Sequence, residues 1–81
     1  MNETRLKSLI NRYNALNAET ERLVSYADSL GYDIKLKEDA NINDKFLRAN
    51  IRRWHHLCEQ IKRNKKKLIA LNYKIENERL F

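Results

Sequence analysis

The chain has 81 residues, one glycine, no proline, a single cysteine and a net charge of +6. That length allows one domain and leaves it thinly cored, since domains of this size bury only about 60% of the surface their unfolded chain exposes. With Cys58 alone, an intrachain disulfide and a cysteine-based metal cage are both excluded, so stability must come from helix packing, self-association, or both.

The first segment, 2–30, reads as a heptad. Leu6, Tyr13, Thr20 and Ala27 recur every seven residues, and so do Leu9, Leu16, Leu23 and Leu30. Interleaved, the two sets give the 3-4 spacing of a coiled-coil seam. Ile10 and Val24 widen the stripe, and Asn2 is placed to cap the first turn with Glu3 behind it. Gly31 follows the last leucine of the repeat, where a glycine commonly supplies the left-handed stop. The expected helix is roughly 43 Å long at 1.5 Å per residue.

Residues 31–42, GYDIKLKEDANI, are expected to be a linker. Its apolar groups Tyr32, Ile34 and Leu36 would plug the end of a helical hairpin. A second helix is expected over 43–79, capped by Asn43 with Asp44 in its first turn, and with Ile42 and Leu47 as a hydrophobic staple. Its apolar stripe is Leu47, Ile51, Trp54, Leu57, Cys58, Ile61, Leu68, Leu71 and Ile75. Asn64 and Lys65 interrupt the stripe at mid-helix. The fold class is therefore all-α: a single domain of two long antiparallel amphipathic helices, a helical hairpin or coiled coil, expected to dimerise into a bundle. Helix two is longer than helix one in this reading. Its tail would overhang, and Ile75, Leu80 and Phe81 are the expected oligomer contacts.

Charge divides the chain unevenly. Residues 1–43 hold six Lys or Arg against seven Asp or Glu, whereas residues 44–81 hold eleven against four. Projected at about 100° per residue, Lys45, Arg48, Arg52, His56, Arg63, Lys66, Lys67 and Lys74 share one third of the second helix's circumference, opposite its apolar stripe. Glu59 is the one acid among them. Solvated helix faces usually mix signs at four-residue spacing; this one mostly does not. The run KRNKKK over 62–67 thickens the ridge. Such a ridge suits an acidic partner, foremost the backbone of RNA or DNA, bound by displacing condensed counterions. The other expectation is a helical interaction module, such as an inhibitor, adaptor or assembly factor, docking on an acidic protein surface. No helix-turn-helix, basic-zipper or RNA-recognition-motif pattern is present, so binding would follow shape and backbone more than base sequence.

Other chemistry is thinly supported. His55, His56, Cys58 and Glu59 are close in sequence, but zinc needs three or four ligands and no other His or Cys exists in the chain. No metal and no cofactor are expected. Cys58 beside two histidines lacks a cleft or oxyanion turn, and one glycine cannot build a phosphate-cradling loop, so the chain is not expected to be an enzyme. Trp54 and Tyr13 sit on the apolar stripes and read as packing groups, although a Trp54 exposed beside Arg52 and Arg53 would suit base stacking. No window approaches the ~18 consecutive apolar residues of a membrane span, and MNETRLKSLI lacks the apolar core of a secretory signal. A basic amphipathic helix can also lie on a membrane surface, but here helix one already covers its apolar stripe. No membrane partner is expected, and a lone cysteine suits a cytoplasmic protein. The Asn, Lys and Ile enrichment is a composition often met in AT-rich genomes, phages and mobile elements included.

Overall fold

A computed structural model describes residues 3–42 and 45–80. Among them the chain forms two helices and no strand: α1, Glu3–Asp39, and α2, Leu47–Leu80. They pack antiparallel into a rod of 59 × 16 × 14 Å. Two contacts set the register. Arg5 pairs with Glu78 at 3.0 Å near the free end, and Trp54 lies against Gly31 near the turn.

The seam follows the expected heptad and extends it. Leu9, Thr20, Ala27 and Ile34 are buried on α1, and Asn64, Leu68 and Ile75 on α2. Leu6, Tyr13, Leu16, Leu23 and Leu30 are half-buried, as are Leu47, Trp54, Leu57, Ile61 and Leu71 across from them. No large side chain is wholly enclosed among the described residues. Two helices alone can cover only one stripe of each other, so the core is a single line of contacts.

The expected stop at Gly31 is overturned. α1 continues through it to Asp39, and the glycine has no positive φ. A Cβ at this position would stand 2.9 Å from Nε1 of Trp54, so the glycine makes room for the indole. A mid-helix glycine costs about 1 kcal/mol against alanine, which the indole's burial offsets. The linker expected over 31–42 is therefore mostly helix, with Ile34 as the next buried rung after Ala27.

The actual stop is Asn41, at φ 54°. The Ile42 amide donates to the Lys37 carbonyl at 2.9 Å, and the Asn41 amide to the Glu38 carbonyl at 3.1 Å. That pair of bonds is a Schellman motif with asparagine in the left-handed place. α2 then starts at Leu47, after a turn at Lys45 and Phe46, instead of at 43. The caps expected at Asn2 and Asn43, and Asp44 beside the latter, lie outside the described residues. Ile42, the expected staple, is half exposed.

The longer α1 removes the overhang. With helices of 37 and 34 residues, the two ends finish together. Ile75, expected to hang free as an oligomer contact, is 5% exposed inside the hairpin. Leu80 does stand in solvent, and Phe81 lies outside the described residues.

Mid-rod, the register brings Thr20 level with Asn64, and both are buried. The Thr20 hydroxyl donates to the Leu16 carbonyl at 2.7 Å, which satisfies it within its own helix. The Asn64 Nδ2 has no hydrogen-bond partner among the described residues. An orphaned buried donor costs about 1–3 kcal/mol, and buried polar groups of this kind in coiled coils fix the register at a cost in stability. Lys65, expected on the apolar face beside it, is exposed.

Candidate nucleic-acid interface

α2 carries its cations where its sequence period puts them. The seam takes Leu47, Trp54, Ile61, Leu68 and Ile75 with Leu57, Asn64 and Leu71 between them, which leaves the positions on the other side of the helix exposed. Arg48, Arg52, His56, Arg63, Lys66, Lys67 and Lys74 are all exposed, and so is Lys45 in the preceding turn. From Arg48 to Lys74 the row runs about 39 Å along the helix.

The row is electrostatically unspent. Ion pairs among the described residues join Arg5 to Glu78, Lys37 to Asp33 and Arg79 to Glu76. None of them takes up Lys45, Arg48, Arg52, Arg63, Lys66, Lys67 or Lys74. Lys45 stands 5.1 Å from the centre of the Phe46 ring, within the range of a weak cation–π contact. The remaining cations have no ion-pair partner among the described residues, so each is available to displace a counterion condensed on a nucleic-acid backbone.

The structure also divides the row. Arg48, Arg52, Arg63 and Lys66 face away from α1. Lys67 and Lys74 lean to one flank, where with Arg12 and Glu19 of α1 they line an open groove of about 510 Å³ floored by Ala15, Leu16, Ala70 and Leu71. Next along that flank, toward the free end, lies a second groove of about 420 Å³ lined by Thr4, Arg5, Ser8, Leu9, Arg12 and Lys74. Arg12 thus joins the α2 cations although it belongs to the near-neutral half of the sequence. The signal was present in the heptad: Arg12 and Lys74 both occupy positions beside the seam, and antiparallel pairing opposes them.

Trp54 is half-buried against Gly31 and meets the His55 ring edge-on, with centroids 5.2 Å apart and planes at 67°. Its indole is a packing group first. His55 and His56 are exposed and Cys58 is half-buried. Among the described residues, no three His, Cys, Asp or Glu side chains gather closely enough to hold a metal ion. Also among them, no helix is long and apolar enough to cross a membrane.

Exposed apolar groups occur in both halves of the rod, with Ile69, Tyr73 and Leu80 on the second half of α2. Tyr26, Tyr32, Leu36, Ile42 and Phe46 are each about half exposed or more near the turn. The chain matches no protein-family model, no curated protein and no solved structure, so geometry and charge alone bear on its function.

Proposed function

We propose that this chain is a non-enzymatic nucleic-acid-binding protein that grips the phosphate backbone with the outer face of α2. One observation carries the reading: a row of exposed cations about 39 Å long with no carboxylate partner among the described residues. Arg48, Arg52, Arg63, Lys66, Lys67 and Lys74 are the phosphate contacts, with Lys45 at the turn. Contacts of this kind position a protein on a strand without reading bases, so affinity follows backbone charge and salt.

Fluorescence anisotropy with short labelled oligonucleotides tests it. If most of the six helix cations engage, log K falls against log salt with a slope between about −3 and −5. Reversing Arg63, Lys66 and Lys67 together to Glu removes binding while leaving the helix content intact, because all three are exposed. No binding of single- or double-stranded oligonucleotides at low salt overturns the reading.

The turn end favours a second reading, a helical module docking on an acidic protein surface. Tyr32 is 68% exposed and Phe46 59%, a high exposure for aromatic groups. Tyr32→Ser with Leu36→Ser separates the two: oligonucleotide affinity is unchanged under the first reading. A homodimer remains part of the proposal, supported by a core in which no large side chain is wholly enclosed. Its contacts would include Leu80 and the turn-end groups in place of Ile75. Light scattering across a concentration series reads it.

A further inference from the structure

The free end of the hairpin carries a second feature that the outer face of α2 does not explain. Thr4, Ser8 and Arg12 fall at four-residue spacing, one column on the first turns of α1. Together with Arg5, Leu9 and Lys74 they line the groove of about 420 Å³, and among the described residues no carboxylate lines it. Arg5 is already engaged by Glu78 at 3.0 Å. Arg12 and Lys74 have no ion-pair partner among the described residues, although both line this groove and the adjoining one. Glu19 is the single acid in the adjoining groove, and it shares that groove with Lys67 as well.

Like charges facing each other across a coiled-coil seam oppose pairing, and helical hairpins ordinarily place opposite charges there. Here Arg12 and Lys74 line one groove together with the hydroxyl-bearing Thr4 and Ser8. That is the lining an oxyanion needs: two positive charges and two O–H groups converging on one open cleft. An anion seated there would offset the like charge of Arg12 and Lys74.

We propose that this groove holds a phosphate group of the bound nucleic acid, so that a strand on the outer face of α2 passes over Lys67 and Lys74 onto Arg12, Thr4 and Ser8 of α1. The inference rests on the backbone-binding reading above and extends its footprint to the other helix.

Arg12→Glu tests it with two readouts that move in opposite directions. A carboxylate beside Lys74 replaces a like-charged pair by an opposite one, so the free protein melts about 2–4 °C higher at low salt. The same change weakens binding of a labelled oligonucleotide about tenfold and makes the salt slope shallower by about 1. Inorganic pyrophosphate raises the Tm of the wild-type chain and leaves that of Arg12→Glu unmoved. Arg12→Gln repeats the comparison without a reversed charge, should the reversal disturb folding. Wild-type oligonucleotide affinity in both Arg12 variants overturns the groove, whether or not pyrophosphate binds. If the Arg63, Lys66 and Lys67 reversal still abolishes binding in that case, the α2 reading stands alone. A wild-type chain that binds no oligonucleotide overturns both.

Discussion

The two ends of the hairpin are held together by different means and present different surfaces. At the turn end the helices fit by shape: Gly31 receives the Trp54 indole, Ile34 is buried beside it, and α1 closes on hydrogen bonds at Asn41. Its outer surface exposes Tyr32, Leu36, Ile42 and Phe46, as the other half of α2 exposes Ile69, Tyr73 and Leu80. At the free end, Ile75 and Leu9 are buried and Arg5 bonds Glu78, but Arg12 and Lys74 then crowd positive charge onto one flank. Neither cation is answered by an ion pair among the described residues, and charge left unanswered is the better pointer to function.

The largest expected effect tests whether the free end is packed at all. Ile75→Ala removes a buried side chain and should cost about 3 kcal/mol. Leu80→Ala, five residues on and 76% exposed, should cost almost nothing. Urea titrations followed by circular dichroism, at one fixed protein concentration, measure both. Equal losses at the two positions would mean that the tail is free, or buried elsewhere, and that the register is wrong.

At the turn end, a double-mutant cycle isolates the fit of Gly31 to Trp54. Trp54→Ala should destabilise by about 2 kcal/mol, below the range for a fully buried tryptophan because the indole is only half-buried. Gly31→Ala alone adds helix propensity but forces the indole to move from a 2.9 Å contact, so its effect is small or unfavourable. In the Trp54→Ala background the clash is gone, and Gly31→Ala should stabilise by about 1 kcal/mol. Additive effects would show that the glycine serves some purpose other than admitting the ring.

This glycine also shows where the sequence was legible and where it was not. Periodicity is a local property, so the heptads of Leu6 to Leu30 and of Leu47 to Ile75 mark both helices and the exposure of the α2 cations, though not that Lys67 and Lys74 flank the seam. A glycine after a heptad leucine has two meanings, helix stop or close approach, and the residue that decides between them lies on the other helix. Reading Gly31 as a stop shortens α1, leaves α2 an overhang and sends Ile75 to a contact outside the hairpin. A single non-local contact produced that whole chain of errors. Arg12 was missed for a related reason: its charge is unremarkable within α1 and acquires meaning only when the register sets Lys74 beside it.

The smallest expected effect concerns the real stop. An L-residue in the left-handed region is strained by roughly 1–2 kcal/mol, and asparagine tolerates it better than most because its short side chain can bond locally. Asn41 at φ 54° should therefore be nearly replaceable by glycine, with a change of a few tenths of a kcal/mol in either direction, since relief of strain is set against added freedom in the unfolded chain. Asn41→Ala keeps the strain without the compensation and should lose about 1 kcal/mol. The contrast matters more than either value. If alanine and glycine behave alike, the left-handed turn is not what ends α1, and the length of α1, which brings Arg12 level with Lys74, must be fixed by the seam instead. If they differ, the aromatic end sets the register on which the cationic end depends.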